Sequence, residues 1–137
     1  MVADIKVVLV DDRERVRLGL ARILNQVPGI QVVAEAAAVS ELPHVLTDSP
    51  ANVVLLDLAQ ADLGAEAMLR ELAVLAPALK RVVISPAADA AHRQALFQAG
   101  AHALLAKSCH VEEVVLAIET VFRGEVYQPL GATPHYA

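Results

Sequence analysis

Short apolar, β-branched runs alternate along the chain with stretches in which apolar residues recur every three or four positions. Ile5 to Val10 reads as a buried strand. Val16, Leu20, Ile23, Leu24 and Val27 then repeat at helical spacing until Pro28-Gly29 ends the pattern. Ile30 to Ala34 is a second strand, and Ser40 is placed to cap a helix that stops near Asp48-Ser49-Pro50. Val53 to Leu56, the most apolar run, is a third strand. Met68, Leu72 and Leu75 mark a third helix, stopped by Pro77. Arg81 to Ser85 predicts a fourth strand, and Asp89 a cap for a helix that runs through Leu96 to Gly100. Ala103 to Ala106 is a fifth strand. Val111, Val114, Val115, Ile118, Val121 and Phe122 line a last helix ending at Gly124.

Five strand-then-helix units predict an α/β fold with one doubly wound parallel sheet and helices on both faces. A single domain is expected over residues 1–125, followed by a tail or the start of a linker over 126–137. Sheets of this kind place their chemistry at the carboxyl ends of the strands, near the point where strand order reverses.

Composition narrows the function. Of the 137 residues, 56% are hydrophobic and 20% charged, which excludes a disordered chain. The net charge of −5 repels phosphate backbones, so direct DNA binding by this segment is not expected. Mean hydropathy is +0.50, yet no apolar run approaches the roughly 20 residues that span a bilayer. Met1 to Lys6 carries no signal-peptide core. A lone cysteine, Cys109, forms no internal disulfide and suits a cytoplasmic location.

The strand ends carry the candidate chemistry. The first strand ends in Asp11-Asp12, the third in Asp57, the fourth in Ser85, and the fifth runs into Lys107. If the first and third strands are neighbours, three carboxylates converge. Their mutual repulsion calls for compensating cations. A hard, oxygen-seeking divalent ion such as Mg²⁺ and the Lys107 ammonium are the two candidates. Such a pocket favours a phosphoryl group, and a carboxylate can act as nucleophile to form an acyl phosphate.

These residues, in this order at these strand ends, resemble a two-component response-regulator receiver domain from about Asp4 to Gly124. The stretch Gly100 to Lys107, with Ala117-Ile118 and Gly124-Glu125, is similar to the NarL/FixJ-type subgroup, whose members usually carry a helix-turn-helix after a linker. The resemblance implies the flavodoxin-like strand order 2-1-3-4-5 with five helices. It implies that Asp57 accepts a phosphoryl group from a sensor histidine kinase. Asp12, Asp57 and the carbonyl of Ala59 would hold Mg²⁺, with Asp11 assisting through water. Lys107 would pair with a phosphoryl oxygen, and Ser85 would turn inward to bond it and carry the signal onward. The implied output is transcription regulation, with DNA reached only through a domain beyond this chain and with a homodimer as the assembly. The implied role is not that of an enzyme.

Four positions depart from the family's pattern. Ala61 stands where a proline usually follows the phosphoacceptor, in a loop one residue shorter. Pro86 replaces a residue whose N–H holds a phosphoryl oxygen, a loss of about 1.5–3 kcal/mol in the acyl-phosphate site. Leu104 replaces the Tyr or Phe that swings as the hydroxyl moves, and Ser108 replaces a frequent proline. Ala61, Pro86 and Leu104 favour an alternative, a pseudo-receiver that binds partners without phosphate. An aspartyl phosphatase is a third reading. It is disfavoured by Ala59, which stands where a second acid would be.

The remaining polar residues have plain roles as well. Asp12 can cap the first helix, and Asp89 is read as a cap only. His44, His92, His102, His110 and His135 form no metal spacing and are expected at the surface. Cys109 beside His110 lacks an orienting acid. Arg13, Arg15, Arg17 and Arg22 crowd the first helix, either as a solvated face or as a docking surface for a kinase's helices.

Overall fold

The computed structural model describes residues 4–57, 64–85 and 90–127. Strands β1 (Ile5–Val10), β2 (Ile30–Ala36), β3 (Val53–Asp57), β4 (Lys80–Ser85) and β5 (Ala103–Ala106) alternate with helices α1 (Glu14–Leu24), α2 (Leu42–Asp48), α3 (Ala65–Leu75), α4 (Ala90–Ala99) and α5 (Val111–Phe122). The strands form one parallel sheet in the order β2-β1-β3-β4-β5. Strand order reverses at β1, between β2 and β3.

The apolar runs form strands because both of their faces are buried. Val7, Leu9, Val53, Leu55, Val82 and Leu105 meet Ala21 and Leu24 of α1 and Val114, Ala117, Ile118 and Val121 of α5. Val8, Val10, Val54, Leu56, Val83 and Leu104 meet Leu42 of α2, Leu69 and Leu72 of α3, and Leu96 and Ala99 of α4. Gly100 closes α4 at φ +126°, where a side chain would be strained.

The helical stripes differ from expectation in two places. In α1, Val16 and Ile23 are 42% and 46% exposed, and the buried positions are Ala21 and Leu24. The helix is turned because Arg17 is drawn inward, its Nε donating to Glu35 Oε1 at 2.9 Å and its Nη1 to the Asp11 carbonyl at 2.7 Å. In α3, Leu75 is exposed, Met68 is half-buried, and Ala65, Leu69 and Leu72 face the sheet.

Two expected caps are also corrected. Arg13, not Asp12, precedes α1, and no side chain caps it. Ser40 lies inside a 3-10 turn over Val39–Glu41, and α2 follows directly without a side-chain cap. The Glu41 carboxylate instead accepts a hydrogen bond from the Ala37 N–H at 3.1 Å. Asp89 lies outside the described residues. Past Gly124, Tyr127 still belongs to the sheet. It pairs with Ala103, and its N–H donates to the His102 carbonyl at 3.0 Å.

Candidate phosphoacceptor pocket at the carboxyl edge of the sheet

Register alone delivers the candidate residues to one edge. Val10 is the partner of Leu56, so Asp11 leaves β1 level with Asp57 at the end of β3. Asp57 is the partner of Ile84, the next residue Ser85 pairs with Ala106, and Lys107 follows. Three neighbouring strands and the reversal point thus open into the same crevice.

Asp57 is held at both oxygens. Its Oδ1 accepts from Lys107 Nζ at 2.5 Å, and its Oδ2 from Arg13 Nη2 at 2.7 Å. The same guanidinium grips Asp11, with Nε at 3.1 Å from Oδ1 and Nη2 at 3.0 Å from Oδ2. The Arg13 N–H adds a fourth contact, donating to Asp11 Oδ1 at 2.9 Å. Asp11 and Asp57 expose only 6% and 10% of their side chains, whereas Arg13 exposes 40% and lies over them from the solvent side.

The two acids titrate in opposite directions. Burial lifts Asp57 above the ordinary carboxylate value, and the charge of Asp11 adds to this against the pull of Lys107 and Arg13. Burial also opposes ionisation of Asp11, but the hydrogen bonds and charge of Arg13 outweigh it and hold Asp11 low. Arg13 is raised in turn, first by its hydrogen bonds to Asp11.

Of the expected carboxylates, Asp11 and Asp57 come together, and the convergence of three becomes a convergence of two. Asp12 is exposed and acts on the pocket through its charge, which reaches Arg13. Ser85 is buried, 7% exposed, one residue past the partner of Asp57. Leu104 is packed in the core at 4% exposure. Ala59, Ala61 and Pro86 lie outside the described residues.

Among the described residues no group of three His, Cys, Asp or Glu surrounds a metal position. The donor chemistry nonetheless suits a hard cation. Two carboxylates converge on one bridging Arg13 nitrogen, and that is the arrangement of oxygens a small divalent ion takes. Asp11 and Asp57 are the residues that would hold it, with Asp12 adjacent in the chain.

Two arginines join the pocket. Expected on a solvated face or on a docking surface for a kinase's helices, Arg13 closes the crevice and Arg17 ties the Asp11 backbone. The available signal was position. An arginine two residues past an acid at a strand end can return its N–H and guanidinium to that acid.

The other candidates settle into plain roles. Cys109 is half-buried, and burial pushes its thiol up, away from the thiolate form. His102 departs from the surface expectation. Its Nδ1 accepts from the Arg81 N–H at 3.0 Å, and burial with the charges of Arg81 and Lys80 lowers its pKa to about 4.

Known proteins give the same answer. The response regulator receiver domain family matches residues 7–119. Response regulator GacA of Pseudomonas aeruginosa is 34% identical over 123 residues, which are 90% of this chain and 58% of GacA. Response regulator UvrY of Escherichia coli K12 is 33% identical, over 90% of this chain and 56% of UvrY. The chain thus spans somewhat over half the length of these curated relatives. Among solved structures, a LuxR-family two-component response regulator from Aurantimonas superposes with a TM-score of 0.84 at 28% identity, covering 95% of this chain and 93% of that one. The isolated receiver domain of RcsB from Salmonella enterica serovar Typhimurium shares the fold, with a TM-score of 0.81 at 19% identity over 94% of this chain and 96% of that one. The strand order, the acids and lysine at the carboxyl edge, and this match over most of the sequence together place the chain in the response regulator receiver domain family.

Proposed function

We propose that Asp57 is the phosphoacceptor of this receiver domain and takes its phosphoryl group from a sensor histidine kinase. The observation that supports this most is the pair of cations on Asp57. Lys107 on one oxygen and Arg13 on the other leave a buried carboxylate compensated, yet reachable from solvent. In the transfer, an Asp57 oxygen bonds to phosphorus as the N–P bond of a phosphohistidine breaks, and the departing imidazole takes up a proton. Lys107 then follows the new negative charge onto a phosphoryl oxygen. Ser85, at the end of the neighbouring strand, donates its hydroxyl to another.

Bound Mg²⁺, held by Asp11 and Asp57 with Asp12 and the Ala59 carbonyl as further donors, would neutralise charge on the transferring group. Pro86 has no N–H to give to that group, which shortens the life of the acyl phosphate. Leu104, already inside the core, offers no ring to swing, so the output face responds by repacking rather than by an aromatic rotation.

The domain is read as a switch that accepts one phosphoryl group, not as an enzyme. Its setting is the cytoplasm, and no helix among the described residues is long and apolar enough to cross a membrane. Its output would be transcription, through a DNA-binding domain outside this chain and a second copy as partner. RcsB is seen as dimers bound to DNA.

The test is incubation with a small phosphodonor and Mg²⁺, resolved on a phosphate-affinity gel. A shifted band is expected for the wild type and none for Asp57→Asn. An equal shift in both, or a shift in neither, contradicts the assignment.

A further inference from the structure

Arg13 contacts both pocket carboxylates, and its place relative to them is unusual for a surface cation. Asp11 and Asp57 sit beneath it, nearly closed to solvent, and one nitrogen, Nη2, lies 3.0 Å from Asp11 and 2.7 Å from Asp57. Lys107 holds the opposite oxygen of Asp57. The Arg13 backbone is extended and precedes α1, so its side chain can leave the crevice without unwinding the helix.

We propose that Arg13 is a built-in counter-ion standing where a divalent cation binds, so that metal loading is an exchange. The metal enters between Asp11 and Asp57 as the guanidinium is released to solvent. The proposal rests on the reading of this pocket as a Mg²⁺-dependent phosphoacceptor site.

The physical argument has two steps. A small hard cation needs the lone pairs of Asp11 and Asp57 that Arg13 now occupies, and two cations cannot share them. The charge balance then sets the direction. Asp11 and Asp57 face Arg13 and Lys107, and the exposed Asp12 adds its charge; with Arg13 gone, the two buried acids share a single ammonium, and the crevice attracts a divalent ion more strongly while standing less comfortably without one. Arg13 thereby sets how much metal the receiver needs before it can accept phosphate.

The test is isothermal titration of metal-stripped protein with MgCl₂, using wild type, Arg13→Gln and Asp57→Asn. Arg13→Gln is expected to bind Mg²⁺ about tenfold more tightly than wild type, equivalent to about 1.4 kcal/mol. It is also expected to melt lower without metal and to gain more on adding it. Unchanged or weaker binding overturns the exchange. If neither protein binds Mg²⁺ while both remain folded, the Mg²⁺ reading of the pocket fails with it. A distinct pattern isolates the proposal: both bind equally and Asp57→Asn does not, so the metal site stands and the exchange falls. Should Arg13→Gln fold poorly, the Arg13 Nε–H resonance of the wild type gives the same answer. It moves toward the free-arginine position as Mg²⁺ is added if the exchange occurs, and stays fixed if it does not.

Discussion

The two edges of the sheet each hold an arginine, and they hold it in opposite ways. At the amino edge, Arg81 is 6% exposed and is held by backbone carbonyls. Its Nε donates to the Gly100 carbonyl at 2.7 Å and its Nη1 to the Leu79 carbonyl at 2.9 Å, while its own N–H is taken by His102. At the carboxyl edge, Arg13 is 40% exposed and rests on two carboxylates. The first arrangement satisfies a charge with fixed backbone dipoles, so it can change only if the fold opens. The second satisfies charge with charge, and any other cation of suitable size can take over. Parallel strands deliver loops to both edges, but at the carboxyl edge the arginine rests on the two buried acids of the pocket, and so there its charge is exchangeable.

That contrast can be broken in order of expected effect. Lys107→Ala removes one partner of the reacting carboxylate. The rate of phosphorylation by a small donor should fall about 10²–10³-fold, while stability changes by less than about 1 kcal/mol. Stopped-flow or gel-based labelling, paired with a denaturant melt, separates the two. A large stability loss with unchanged labelling would make Lys107 structural.

Arg81→Met should do the reverse. Two carbonyls lose charged donors inside the fold, at a cost of about 2–3 kcal/mol, and labelling per folded molecule should be unaltered. A labelling defect in the folded fraction would mean that the amino edge also reaches the pocket.

The smallest effect concerns pH. The folded pKa of His102, about 4, lies below its ordinary value of 6.5, first because of burial and then because of Arg81 and Lys80. The unfolded chain therefore takes up a proton first. Stability should decline as pH falls from about 6.5 to about 4 and flatten below. His102→Asn keeps an acceptor for the Arg81 N–H and should remove this part of the decline. Urea melts across that range give the comparison, and an unchanged slope would dismiss His102 as its source.

The order of elements and the strand ends that carry the acids and the lysine were legible in the sequence, because short apolar runs buried on both faces have few alternatives, whereas β2 runs to Ala36, two residues past its expected end. Val53 to Leu56 and Ala103 to Ala106 form strands as read, and β3 takes in Asp57 as well. The acids and the lysine were legible because each follows such a run directly. Helix faces were harder to read. In α3, Ala65-Leu69-Leu72 and Met68-Leu72-Leu75 are both apolar stripes, and only the packing against Leu56 and Leu96 decides between them. In α1, periodicity counts Arg17 as polar and therefore outward, yet Glu35 and the Asp11 carbonyl draw it in and turn Val16 out. For Arg13 its place two residues past Asp11 points to that acid, but its charge alone does not say that it also reaches Asp57.

The central claim is that the buried, doubly paired carboxylate at the end of β3 is the atom group that becomes phosphorylated. Borohydride reduction of the phosphodonor-treated protein tests it directly, since an aspartyl phosphate is reduced to homoserine while a free aspartate is left intact. Peptide mass spectrometry should find homoserine at position 57 alone; homoserine at Asp11 or Asp12, or none anywhere after donor treatment with Mg²⁺, would contradict the account.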